Sequence, residues 1–144
     1  MHPTTSIRRA EKSDVQSLAR LMIGMGFDHS AEEIERRWTM VEDREQDQIL
    51  LAVEDGTPVG LVAVHIAPLL FYPRPLARIT TLVVDQTKRR QGIGHTLVRE
   101  VISLAKETGC DTIELTTGIA REEAHAFYRS IGFQESARRM SRRL

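Results

Sequence analysis

Between Leu82 and Leu97 the chain passes from an apolar run, Leu82-Val83-Val84, through Asp85-Gln86-Thr87 and three cations, Lys88-Arg89-Arg90, into Gln91-Gly92-Ile93-Gly94-His95-Thr96-Leu97. A strand, a short basic loop and a helix with two glycines in its first turn must follow one another without a break. Strand and helix each need an apolar partner, so the unit commits the chain to layered α/β packing. A helix start presents unpaired N–H groups and a partial positive charge. Glycines at 92 and 94 let backbone approach a ligand, and the cations beside them add charge. The stretch therefore predicts a cradle for a phosphate or pyrophosphate.

The rest of the chain divides by hydrophobic period. Ser6 to Arg9 reads as a short strand, and Ser13-Asp14-Val15-Gln16 as a capping box. Val15, Leu18, Ala19, Met22 and Met25 then recur at helical spacing, up to Gly24 and Gly26. Ser30 with Glu33 opens a second helix, whose stripe is Ile34, Trp38 and Val41. Ile49 to Val53 and Val59 to Ile66 are apolar, partly β-branched runs around Asp55-Gly56, a hairpin signal. Ala67 to Pro75 holds three prolines and reads as a loop, and Ile79 to Asp85 as a strand. The helix from about Gly92 to Thr108 ends at Gly109, before a strand over Thr112 to Thr117. Glu122 to Ile131 reads as a last helix, ended by Gly132, and a final strand is expected from Phe133.

These 144 residues fit one domain spanning 1–144, with a mixed α/β fold and parallel pairing where helices intervene. Lys plus Arg and Asp plus Glu are 20 each, which argues against a nucleic-acid binder despite the basic tail Arg138-Arg139-Met140-Ser141-Arg142-Arg143. The single Cys110 forbids an intrachain disulfide. No secretory signal or membrane-length apolar run is visible, so the expectation is a soluble cytoplasmic chain with no membrane partner. His29 and His65 have no metal-ligand spacing, and no metal is implied.

The phosphate ligand can be narrowed. A Walker loop needs Lys and Ser or Thr after its last glycine, where His95 and Thr96 stand. A dinucleotide fingerprint needs a small residue where Leu97 sits. By contrast, Arg89-x-x-Gly92-x-Gly94 after Leu82-x-Val84 resembles the acetyl-CoA signature of the GNAT superfamily of N-acetyltransferases. Ala124-His125-Ala126-Phe127-Tyr128-Arg129-Ser130-Ile131-Gly132-Phe133 is similar to that family's Ala-x-x-φ-Tyr-x-x-x-Gly-Phe segment. The order of elements resembles the family from about Ser6 to Leu144.

The resemblance implies a mostly antiparallel sheet with a central parallel pair, flanked by helices, and acetyl-CoA as co-substrate. Backbone amides of Arg89, Arg90, Gln91, Gly92, Ile93, Gly94 and His95 would hold its pyrophosphate. Free backbone groups of Leu82, Val83 and Val84 would hold the pantetheine arm. Tyr128 matches the tyrosine that protonates the departing thiolate, which suits a phenol of pKa about 10. A homodimer is a further expectation by resemblance.

Two positions depart from the family pattern. The strand Arg78-Ile79-Thr80-Thr81-Leu82 lacks the acid that many relatives use as a base, leaving Glu114 and His65 as candidates. Gly118-Ile119-Ala120-Arg121 lacks the asparagine usual in N-terminal acetyltransferases. Arg121 with Ala124-His125-x-Phe127-Tyr128 looks more like small-molecule members, including aminoglycoside and aminoalkylphosphonate acetyltransferases. The expected reaction is direct transfer to a small primary amine. Phe27, Trp38, Phe71, Tyr72 and Arg78 are candidates for the acceptor pocket, with core packing the alternative for Trp38. A protein lysine or N-terminal acetyltransferase, and a non-catalytic CoA-binding sensor, remain the competing readings.

Overall fold

A computed structural model describes residues 4–25, 29–117 and 122–144. Five strands form one sheet in the order of the chain: β1 (Thr5–Arg9), β2 (Asp47–Glu54), β3 (Thr57–Ala67), β4 (Leu76–Val84) and β5 (Thr112–Leu115). The first three pairings are antiparallel and β4 pairs with β5 in parallel. The helices are α1 (Val15–Ile23), α2 (Ala31–Val41), α3 (Ile93–Glu107) and α4 (Glu122–Ser130).

The sheet separates two cores. On one face α3 lays Ile93, Leu97, Val98, Val101 and Ala105, spaced three and four apart, against Ala52, Val62, Val64 and Ile79. On the other, α1 and α2 bring Leu18, Leu21, Ile34 and Trp38 onto Leu51, Val53, Leu61 and Val83. With both faces covered, β3 reads as a nearly continuous apolar run instead of an alternating one. Leu97 is fully buried, and its truncation to alanine would cost about 2–5 kcal/mol.

The β2–β3 hairpin turns at Asp55 and Gly56, with φ of 49° and 76°, the left-handed pair a two-residue turn demands. Ser30 caps α2 as expected, accepting the Glu33 amide at 3.2 Å. The entry to α1 differs from the expected Ser13–Gln16 box. A 3-10 turn, Lys12–Asp14, precedes the helix and holds the box instead: Asp14 accepts the Glu11 amide at 2.8 Å while Arg8 grips both its oxygens at 2.8 and 2.9 Å, and no side chain caps α1 itself.

No strand forms after Phe133, where a final one was expected, so the parallel pair lies at the sheet edge and not at its centre. The apolar residues of that segment, Ala137, Met140 and Leu144, do not alternate as a half-buried strand requires. Met140 and Leu144 are exposed.

Candidate functional site

β5 pairs with β4 only from Leu76 to Ile79, and then ends at Leu115. β4 continues to Val84 with no neighbour on that side among the described residues. The separation coincides with a bulge: Val64 pairs with Ile79 and Ala63 with Thr81, leaving Thr80 as the extra residue. As a result Ile79 and Leu82, an odd and an even residue, both pack on the α3 side. Val84 packs there too, whereas Val83 joins the α1–α2 core. The side chains of all three candidate residues of this strand are engaged in packing, so backbone groups are what the open edge offers a ligand.

The open edge leads into the basic loop and the start of α3. Gly92 is the N-cap, exposed, with φ of 81°, and no side chain caps the helix there. Arg90 also has a left-handed φ, 64°, which costs a residue with a side chain about 1 kcal/mol or more. Arg89, Arg90 and Gln91 are exposed, and Arg89 reaches back to the Val84 carbonyl at 3.5 Å. Ile93 is buried in the core, and His95 stacks edge-on against Phe127 with ring centres 4.9 Å apart. The arrangement fits an extended phosphate-bearing ligand: an unpaired strand edge running into an uncapped, cation-flanked helix start.

Lys88 is not a mobile charge, because its ammonium lies 3.1 Å from Oε2 of Glu54, at the end of β2. Gly94 also bears on packing: a Cβ there would come within 3.2 Å of Cζ of Phe127, so a larger residue would press on the α3–α4 contact. The loop has further anchors that sequence reasoning missed. Asp85 accepts the Thr87 amide at 2.9 Å and its hydroxyl at 2.8 Å, and holds Arg20 of α1 at 3.0 Å. These bonds, Thr87 first, keep the Asp85 carboxyl below the ordinary range against the opposing effect of burial. Asp85-x-Thr87 is a turn signal visible in sequence. Arg20, which also donates to the Pro58 carbonyl at 2.7 Å, has no local signal.

Tyr128 is half-buried on α4, its ring 5.2 Å from Phe127 and 5.6 Å from Phe133. The helix closes with Gly132 at φ of 95°, the Phe133 amide bonding the Tyr128 carbonyl at 3.0 Å and the Gly132 amide bonding that of Arg129 at 3.1 Å. That closure folds Phe133 back beneath Tyr128. The spacing Tyr-x-x-x-Gly-Phe thus has a mechanical meaning: it fixes the tyrosine's orientation.

The two base candidates lie in one polar row across the sheet. Asp47, His65, Arg78 and Glu114 are successive register partners on β2, β3, β4 and β5. Their chain neighbours, including Val64, Ile66, Ala77, Ile79, Ile113 and Leu115, pack on the α3 side, so the row faces the side of α1 and α2. Arg78 donates to Glu114 at 2.8 Å and to the Thr116 hydroxyl at 2.6 Å. His65 Nδ1 lies 2.7 Å from Oδ1 of Asp47, whose Oδ2 is 3.0 Å from Nε of Arg44.

Among the pocket candidates, Trp38 is buried in the α1–α2 core and donates to Glu42 at 2.8 Å, so packing claims it. Phe71 and Tyr72 stand exposed on the β3–β4 connection, ring centres 5.0 Å apart. Arg78 is occupied by Glu114, and Phe27 and Arg121 lie outside the described residues. Among the described residues, no three His, Cys, Asp or Glu side chains gather as a metal site, and no helix is long and apolar enough to cross a membrane.

Comparison with known proteins matches residues 13–133 to the family described as Acetyltransferase (GNAT) family. An uncharacterized N-acetyltransferase of Methanocaldococcus jannaschii is 30% identical over 92% of the chain. An aminoalkylphosphonate N-acetyltransferase of Salmonella typhimurium is 33% identical over 65% of it. The chain spans 62% and 61% of those two proteins' own lengths. Among solved structures, a putative acetyltransferase from Agrobacterium tumefaciens superimposes with a TM-score of 0.88 at 29% identity, over 96% of this chain and 99% of that one.

Proposed function

The chain belongs to the acetyltransferase (GNAT) family, and from that premise we propose that it transfers the acetyl group of acetyl-CoA directly to a primary amine of a small molecule. The observation that carries this reading is the open edge of β4 beyond Ile79, continuous with the uncapped start of α3. An acyl-CoA is long, thin and phosphate-bearing, and that edge offers it backbone hydrogen bonds followed by an anion cradle. Amides from Arg89 to His95 would hold the pyrophosphate, and backbone groups of Leu82, Val83 and Val84 the pantetheine arm.

Bound there, acetyl-CoA supplies an activated acyl group and a thiolate leaving group. Tyr128 is the proton donor to that thiolate, its ring held by Phe127 and Phe133. Of the two base candidates His65 is the better placed, because Glu114 already answers the charge of Arg78. The same pairing leaves Arg78 poorly suited to a phosphonate or carboxylate on the acceptor. A small-molecule acceptor is supported by the likeness to the Salmonella aminoalkylphosphonate N-acetyltransferase.

Calorimetric titration with CoA and a thiol-release assay over an amine panel test the proposal together. Micromolar binding and turnover with small amines support it. Turnover confined to peptide lysines or N-termini would move the acceptor to protein, and tight binding without turnover would leave a sensor.

A further inference from the structure

We propose that Asp47 is a positioning residue for this reaction: it takes the Nδ1 hydrogen bond of His65, so that Nε2 is the nitrogen that accepts the proton of the attacking amine. A neutral imidazole has one N–H and one lone pair, and a carboxylate can only accept. With Nδ1 at 2.7 Å from Oδ1 of Asp47, the proton resides on Nδ1 and Nε2 is left basic. The carboxylate is itself held from its other side, Oδ2 to Arg44 at 3.0 Å, and its side chain is only 18% exposed. His65 retains 36% exposure of its side chain, so solvent and substrate can reach it.

The location suits the role. His65 pairs across the sheet with Arg78, two residues before the bulge at Thr80 where β4 parts from β5. The Thr80 hydroxyl contacts the Ala63 carbonyl, and Ala63 is two residues from His65 along β3. The base is thus one strand away from the point where the acyl group would lie. Its ring faces the α1–α2 side.

The step balances. The amine nitrogen bonds to the acetyl carbonyl carbon, the carbon–sulfur bond breaks, and its electron pair stays on sulfur. Nitrogen releases its proton to Nε2 of His65, and sulfur takes one from the Tyr128 hydroxyl. Both side chains return to their starting states by exchange with water.

The inference rests on the acetyl-transfer reading, and two measurements keep them apart. Long-range proton–nitrogen spectra of the labelled chain at mildly alkaline pH, with His65 assigned from His65→Gln, should show Nδ1 protonated and Nε2 bare. Asp47→Ala should erase that preference. With an active amine, Asp47→Ala should lower kcat roughly ten- to a hundredfold, leave the Kd for CoA unchanged, and add nothing to the loss in His65→Ala. A wild-type ring protonated on Nε2, an unchanged kcat in Asp47→Ala, or an additive double variant overturns the proposal. A wild-type chain that binds no CoA overturns acetyl transfer instead, while the spectra, which need no substrate, still decide the Asp47–His65 tie.

Discussion

The ammonium of Lys88 lies 3.1 Å from Oε2 of Glu54, a carboxylate only 6% exposed that also accepts the Thr5 hydroxyl at 3.1 Å through its other oxygen. Oε2 is shut off from solvent and has no other partner among the described residues. A cation of the basic loop is therefore spent inside the protein, anchoring the loop to the end of β2. Lys88→Met should strand the buried charge and cost roughly 1–3 kcal/mol in chemical denaturation. Glu54→Gln should be milder in stability and should weaken CoA several-fold by loosening the loop. The double variant should regain stability without regaining affinity. Loss of CoA affinity in Lys88→Met, with affinity kept in Lys88→Arg and stability unchanged in both, would mean that the lysine meets phosphate directly.

Gly94 and Phe127 form a second dependency. A methyl at 94 would sit 3.2 Å from Cζ of Phe127, tighter than a relaxed contact. Gly94→Val should therefore displace α4, and with it Tyr128, lowering kcat more than CoA affinity. Phe127→Leu in that background should restore part of the loss, measured by thiol release. If Gly94→Val abolishes CoA binding and the second change has no effect, the glycine serves the ligand.

Gly92 separates from Gly94 by the same reasoning. Nothing lies within 4 Å of a Cβ placed there, but its φ of 81° disfavours any side chain, a β-branched one most. Gly92→Val should remove CoA binding in calorimetry while the far-ultraviolet circular dichroism stays that of the wild type. Normal binding in this variant would take the cradle away from the start of α3.

How much of this was legible follows from the range of each interaction. Local signals were faithful: Asp55-Gly56 turned the hairpin, Ser30 capped α2, and the strand expected from Ile49 begins two residues earlier, at Asp47. Signals with a distant competitor misled. The box expected at Ser13 forms instead between Glu11 and Asp14, whose carboxylate Arg8 of another element holds, and Arg78 looked available because Glu114 is 36 positions away. Gly94 reads in sequence as making room for a ligand, and the fold adds Phe127 as a second neighbour that needs the space. A linear pattern records that a small residue is needed, and not what approaches it. The segment after Phe133 taught the reverse lesson, since without apolar alternation it had no face to offer the sheet.

Tyr128 carries the chemical assignment, so its removal has a defined signature. Tyr128→Phe keeps the ring packed between Phe127 and Phe133 and deletes one hydroxyl. If that hydroxyl protonates the thiolate, kcat should fall roughly a hundredfold or more with the Kd for CoA unchanged. A fall in stability with little change in kcat would mark a packing tyrosine.

The Arg8–Asp14 pair predicts how acid acts on the fold. The two hydrogen bonds from Arg8 hold the Asp14 carboxyl below its ordinary range, and the Glu11 amide adds to them, while burial pulls the other way. A depressed folded value means that protons bind the unfolded chain more readily. The stabilisation is therefore complete above the unfolded carboxyl pKa of about 3.9 and is lost as pH falls through the lower folded value. Because Asp14 closes the turn that leads into α1 and Arg8 ties it to β1, loss of its charge should loosen the α1–α2 side before the α3 side. Denaturation of the wild type should show stability declining below about pH 4, and Asp14→Asn should start lower at neutral pH, by roughly 1–3 kcal/mol, with a flatter acid limb. An unchanged acid limb in Asp14→Asn would place the acid-sensitive group elsewhere. Hydrogen exchange well below the ordinary carboxyl range, at about pH 3, should then show α1 protected as well as α3.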